Sequence, residues 1–398
     1  MSHSFLLENL YSLWWVILSA MLAPILALIT RKYIPDVIWL LIFGIVISPY
    51  MLGLSEVTES IEIIRELGMG FLFLLAGFEV NTSDMRKKQG KQACLTWIIS
   101  FLCAIGIGLL ITNGNIKMVI VIAIACTSTA LGTLLPILKD SKIINSNLGK
   151  ATIIHGAYGE LLPIIAMSLL LSASTPWQAS IILISFTIIA VIVVTLPIRI
   201  IRKMPLLGKA IVSSSNTTMQ PTLRMSVFIL ITLMLLTAVF QLDIALGAFI
   251  AGILLNVILK AFSPMQAEEV AHKVEIVGFS FLIPVFFVTS GMNINLLKVL
   301  GNWQLVLILF IFIAILRGGI VYLRERYTNT FSNLKNRKEQ VALSLYSATG
   351  LPIIVAVAGI AEDSNLITSS IAGVMIVSGA LTVLIFPLIA NLILNQRD

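Results

Sequence analysis

The stretch TSTALGTLLP, residues 127–136, and a second one, YSATGLP, residues 346–352, decide how this chain folds. Each lies inside a long apolar run and sets glycine, proline and hydroxyl side chains where a membrane helix would otherwise continue. Proline removes a backbone donor from the helix and glycine weakens it. Lipid cannot satisfy the groups so released, and irregular backbone at membrane depth must face protein or a water-filled cavity. Thr127, Ser128, Thr129, Gly132 and Pro136 are therefore expected to form one broken segment, and Ser347, Thr349, Gly350 and Pro352 another. Freed carbonyls and hydroxyls are ligands suited to a hard cation. A single such segment reads as an ordinary proline kink, whereas two at related positions point to a site.

The relation between them is an internal repeat. Pro136 aligns with Pro352 at an offset of 216, Gly77 of LLAGFEVN (74–81) with Gly291 of VTSGMNIN (288–295) at 214, and Gly44 of LIFGIVI (41–47) with Gly252 of FIAGILL (249–255) at 208. The matches are short, but they share chain order and nearly share an offset. That offset covers an odd number of the crossings counted below, so the second copy enters the membrane from the opposite side. Inverted repeats with Gly/Pro-interrupted segments in corresponding positions are a signature of secondary transporters, whose sites lie near mid-membrane where the repeats meet.

Composition sets the frame. Hydrophobic residues make up 58% of the 398 and charged residues 11%, against about 25% charged in soluble domains. Mean hydropathy is +1.03. The expected fold class is an all-α polytopic membrane protein. Runs of about 20 apolar residues span the hydrocarbon, and thirteen are counted: 13–30, 35–53, 61–79, 92–112, 116–137, 150–173, 177–198, 223–241, 243–259, 275–293, 303–323, 339–361 and 365–394. Basic residues test the count, because short cytoplasmic loops carry their excess. Of the 26 lysines and arginines, all but Arg65, Lys117, Lys298 and Arg317 fall on one side. The expected topology is a multi-pass plasma-membrane protein with its N-terminus outside and its C-terminus cytoplasmic. Orientation accounts for the net charge of +7, and the basic loops are not read as a nucleic-acid surface. The first apolar run lacks a basic leader and a cleavage site and is read as a retained helix. The three cysteines sit in apolar segments without CxxC spacing, so no disulfide framework or metal site is expected.

One carboxylate stands out. In HGAYGELLPI, residues 155–164, Glu160 occupies the middle of an apolar run. An ionised acid there costs about 2.5 kcal/mol or more, and such residues mark ion or proton pathways. Gly149, Thr152, Ile153, Gly156 and Ala157 share its helical face, a mostly small surface suited to close packing. His155, about 140° away around the helix, is a poor partner for Glu160 and is read as a hydrogen-bonded interior histidine. Arg317, in LILFIFIAILRGGIVYL, is the mid-membrane charge of opposite sign, and pairing across helices is expected to offset both burial costs. The ion- and proton-binding set is therefore expected to comprise Glu160, Thr129, Ser128, Gly156 and Thr349, with Arg317 compensating charge. No cofactor is expected, and no metal beyond the transported cation. A cation channel, or an efflux component gated by a separate cytosolic subunit, is the alternative, although no TVGYG-type filter is present. An enzyme is not expected, since HExxH and GxSxG are absent.

The stretches GAFIAGILL (247–255), LLAGFEV (74–80), TSTALGTLLPILKD (127–140), FFVTSGMNI (286–294) and SATGLPIIVAVAG (347–359) resemble the monovalent cation:proton antiporters of the sodium/hydrogen exchanger superfamily, on the branch that includes bacterial potassium-efflux systems. The resemblance implies thirteen helices with two crossed broken ones, assembly as homodimers, and exchange of sodium or potassium for protons. It places the essential membrane carboxylate at Glu160 and the later basic residue at Arg317, where arginine goes with electroneutral exchange in the family. Gly159 departs from the asparagine, aspartate or glutamine usual before that acid. The whole chain, 1–398, is expected to be one membrane transport domain without the nucleotide-binding domain of potassium-efflux relatives, so that such regulation would need a separate cytosolic subunit.

Overall fold

The computed structural model describes residues 3–30, 34–80, 85–111, 115–171, 221–240, 242–262 and 264–395, with six isolated positions between 181 and 192. Every regular element among them is helical. In chain order these are α1 (His3–Ile29), α2 (Asp36–Ile47), α3 (Glu59–Glu79), α4 (Lys88–Ile111), α5 (Ile116–Thr127), α6 (Leu131–Asp140), α7 (Asn147–Leu171), α8 (Pro221–Val239), α9 (Ile244–Phe262) and α10 (Pro264–Val277). There follow α11 (Ile283–Met292), α12 (Leu296–Gly301), α13 (Trp303–Ile313), α14 (Ile320–Tyr327), α15 (Arg337–Ser347), α16 (Leu351–Asp363) and α17 (Ser369–Asn395). The chain divides into two units, one of Met1–Arg65, Asn81–Pro163 and Pro284–Asp398, the other of Glu66–Val80 and Ile164–Ile283.

Nine helices among the described residues are long and apolar enough to cross a membrane, and Asp36–Ile47 and Ile244–Lys260 are shorter apolar helices. The expected crossing at 61–79 is α3, which carries Glu62, Arg65, Glu66 and Glu79 along its length. The one at 177–198 falls almost wholly outside the described residues. The all-helical, multi-pass class holds, while the count of thirteen is not reached among these residues.

Both expected breaks are present. The run at 116–137 is two helices, α5 and α6, with Ser128 and Ala130 extended between them (ψ 154° and 108°). The run at 339–361 is likewise α15 and α16, separated by Ala348–Gly350. Pro136 lies inside α6, beyond the break, and Pro352 sits in the first turn of α16, where a missing N–H costs nothing. Two interruptions of another kind are not visible in the apolar pattern. Gly278–Leu282 and Ala314–Gly319 are π-helical turns joining α10 to α11 and α13 to α14.

Close packing follows the repeat. In the first unit α2 crosses α11 at Gly44 and Gly291, where a Cβ on Gly44 would overlap the carbonyl oxygen of Val288 and lie 3.0 Å from the Gly291 Cα. In the second unit α3 crosses α9 at Gly77 and Gly252, where a Cβ on Gly252 would overlap the Leu74 carbonyl oxygen and lie 2.8 Å from the Gly77 Cα. The sequence alignment equates Gly44 with Gly252 and Gly77 with Gly291, so each crossing is the image of the other. In lipid, where helices gain little from leaving an equally apolar solvent, such small-residue contacts are what hold them together. Leu134, Leu138, Leu148, Ala151, Val321, Leu343 and Tyr346 pack α6, α7, α14 and α15 into one buried cluster that anchors the first break.

Gly252→Val, which drives a side chain into backbone, is expected to cost about 1–3 kcal/mol or more. Gly106→Ala, where a Cβ meets nothing within 4 Å, should be neutral or stabilising. Thermal unfolding in detergent checks the pair, and equal melting temperatures would contradict the crossing.

Candidate cation and proton site

The site is built from the broken backbone outward. Trp97 of α4, stacked on Phe101 at 4.9 Å, donates its indole N–H to the Thr127 carbonyl at 3.1 Å. The Thr129 N–H reaches the Gly159 carbonyl of α7 at 2.9 Å, and the Ala130 N–H reaches the Thr349 carbonyl of the second break at 2.8 Å. The Thr129 hydroxyl donates to the Ser347 carbonyl. The two breaks are thus bonded to each other and to the helix that carries Glu160.

Glu160, 2% exposed, meets the start of α6. Its Oε1 accepts from the Leu131 N–H at 2.6 Å. A helix N-terminus offers unpaired donors and a partial positive charge, so a carboxylate is favoured there. The break creates that N-terminus at membrane depth, which answers why an acid is tolerated in α7. The second oxygen, Oε2, is buried without a hydrogen-bond partner.

Arg317, fully buried in the second π turn, faces the same break. Its Nε and Nη2 donate to the Thr129 hydroxyl at 3.2 and 3.1 Å, Nε also reaches the Ser347 carbonyl at 3.3 Å, and Nη2 reaches the His155 carbonyl at 3.0 Å. The salt bridges among the described residues include none between Arg317 and Glu160. The guanidinium takes neutral oxygens at the crossing, and the direct pairing expected from the sequence is not what places it.

The departure at Gly159 has a steric cause. A Cβ there would overlap Thr129 and lie 3.0 Å from Arg317 Nη2. Threonine and arginine fill the space that a side chain at 159 would need. Gly156 likewise makes room for the Leu131 side chain, and Gly350 for Ser128. A Cβ on Gly132 would meet nothing within 4 Å.

The hydroxyls divide. Ser128 and Thr349 donate back to their own helices, at the Ala125 and Leu345 carbonyls, 2.8 and 3.1 Å away. Thr129 is held by Arg317. Ser347, expected from the sequence only as part of the second break, keeps a buried Oγ with no partner. Trp97 and Glu325 are also additions. Glu325 was hidden in the basic stretch RER (324–326), yet it is buried and lies 3.8 Å from His155 Nε2. A π turn adds a residue to the helical register, so a face counted from Arg317 at 3.6 per turn misplaces Glu325.

A family model described as "Sodium/hydrogen exchanger, transmembrane" matches residues 17–396. The chain belongs to the sodium/hydrogen exchanger family. This exchanger-family chain is 25% identical over 399 residues to YjbQ of Bacillus subtilis, covering 95% of itself but only 62% of that protein. It is 24% identical over 398 residues to the "Probable Na(+)/H(+) antiporter 3" of Methanocaldococcus jannaschii, covering 97% of each. Its fold matches the sodium proton antiporter MjNhaP1 of the same archaeon, solved at pH 8, with a TM-score of 0.66, 19% identity and coverage of 98% and 99%. These relatives are named as antiporters.

Gly159→Ala is expected to push Thr129 and Arg317 apart and to reduce cation-driven proton flux roughly tenfold or more, since small displacements at a reacting centre are costly. Flux in reconstituted vesicles, compared at equal protein insertion, checks this. Unchanged flux would show that the contact is loose.

Proposed function

We propose that this protein is a secondary antiporter exchanging sodium for protons across the plasma membrane, with Glu160 as the group that binds one or the other. The observation that carries this is the state of the carboxylate, which is buried at mid-helix with one oxygen fixed by the α6 N-terminus and the other without a partner. A carboxylate oxygen so placed accepts a proton or ligates a cation, and the two compete. Ser347 Oγ, also unpartnered, is the nearest uncommitted hydroxyl in sequence to the crossing, while Thr129 Oγ1 becomes free only if Arg317 lets go. The choice of sodium over potassium rests on the names of the relatives. The inside-positive loops support an outside N-terminus and a cytoplasmic C-terminus. A homodimer, and any separate cytosolic subunit, rest on the family resemblance.

The exchange is proposed to be one for one. The position before Glu160 is a glycine, so the site offers one carboxylate, which carries one proton one way and one cation the other. Moving a net charge would couple the cycle to voltage by about 2.3 kcal/mol per 100 mV, and a one-for-one exchanger escapes that.

Everted vesicles loaded with a pH-sensitive dye test the proposal, with sodium, potassium and lithium added in turn. Sodium should dissipate a preformed proton gradient at a rate that an imposed diffusion potential leaves unchanged, and Glu160→Gln should abolish the response while the protein still inserts. Wild-type exchange in Glu160→Gln would remove Glu160 from the mechanism.

A further inference from the structure

One backbone group released by the first break is held by a side chain from outside the crossing. The carbonyl of Thr127, the last residue of α5, accepts from the indole N–H of Trp97 at 3.1 Å. Carbonyls that end a helix have no partner in a following turn, and they form its negative pole. α5 ends at the crossing itself, where the Thr129 N–H reaches the Gly159 carbonyl and the Ala130 N–H the Thr349 carbonyl. In transporters built on broken helices, such half-helix ends coordinate the cation. Here that oxygen is already taken.

The group that takes it is unlike the others. The Gly159 and Thr349 carbonyls are held by backbone N–H groups of the first break, the Ser347 carbonyl by Arg317 and the Thr129 hydroxyl, and the His155 carbonyl by Arg317. Trp97 comes from α4 and brings an indole, which is a donor with no acceptor atom. A hydroxyl or amide in its place would satisfy the carbonyl and still offer an oxygen; the indole removes one and returns none. Packing fixes it there, for Trp97 is 5% exposed and its ring stacks on Phe101, one turn along α4, with the planes 15° apart. The hydroxyls of the same arm also turn back, Thr127 Oγ1 to the Ala123 carbonyl at 2.7 Å and Ser128 Oγ to the Ala125 carbonyl at 2.8 Å.

We propose that Trp97 is a positioning residue that sets cation specificity: its N–H withholds the Thr127 carbonyl, keeps the coordination shell small, and so favours lithium and sodium over potassium. Larger cations call for more oxygens, as calcium takes about six to eight where the smaller magnesium takes about six. The number of carbonyls offered is one of the quantities held to separate sodium from potassium. Trp97 acts through Thr127 and does not itself touch the cation.

This rests on a cation site at Glu160, and the test keeps the two apart. Apparent KM and maximal rate for lithium, sodium and potassium are measured by dye dequenching in everted vesicles, for the wild type and for Trp97→Phe, which keeps an aromatic ring and loses the donor. The ratio of the potassium KM to the sodium KM should fall about fivefold in Trp97→Phe, the factor that one net hydrogen bond is worth. A lower rate with all three cations at an unchanged ratio makes Trp97 a packing residue only and overturns the proposal. Where Trp97→Phe fails to insert, the benzothienyl analogue of tryptophan is placed at 97, with sulfur for the N–H at nearly constant shape, and the same ratio is read. If sodium moves no protons in the wild type, the exchange reading fails, and calorimetric binding of sodium and potassium in detergent decides Trp97. A fall in the ratio of their dissociation constants supports it; an unchanged ratio, or a wild type that binds neither, sinks it.

Discussion

Everything at the centre of this molecule follows from one constraint, that backbone polar groups released inside a membrane must find partners in the protein. Breaking two helices releases several at once. The structure satisfies them by crossing the breaks, so that Ala130 bonds to Thr349, Thr129 to Gly159 and Ser347, and Trp97 to Thr127. The arrangement also turns the start of α6 into a positive helix end at depth, and Glu160 rests on it. A buried acid, a buried arginine and two irregular segments would each be costly alone. Placed together, each supplies what another lacks.

The charges in this arrangement are not paired in the simplest way. Arg317 spends its hydrogen bonds on the Thr129 hydroxyl and on the His155 and Ser347 carbonyls. Glu160 spends one oxygen on Leu131 and leaves the other without a partner. A tight ion pair would fill the carboxylate permanently and leave nothing to exchange. Holding the arginine close on neutral oxygens keeps a compensating charge nearby without blocking the acid.

Much of this was legible in the residues. Glycine, proline and hydroxyls at 127–136 and 346–352 located both breaks to within a few residues, because two such segments at repeat-related positions are more than ordinary proline kinks require. The equivalence of Gly44 with Gly252 and Gly77 with Gly291 anticipated the repeat, and the structure gives it a physical form as two glycine crossings. Glu160 stood out by cost alone. What was not legible depended on register and on contact across the chain. The π turn at Ala314–Gly319 shifts the register of the residues after it, so a face counted through it at 3.6 residues per turn does not place Glu325. The role of Gly159 required knowing that Thr129 and Arg317 come to it from distant segments. Which hydroxyls stay free also could not be read, since Ser128 and Thr349 fold back on their own helices and Ser347 does not.

The central claim is that a cation and a proton compete for one carboxylate, and the number of protons displaced by each sodium tests it most directly. Sodium binding followed by calorimetry in buffers of different ionisation enthalpy gives that number. As the pH is lowered it should approach one proton per sodium in the wild-type protein, with no sodium binding detected in Glu160→Gln. Sodium that binds without releasing a proton, or that binds as well once Glu160 is neutral, would contradict the account.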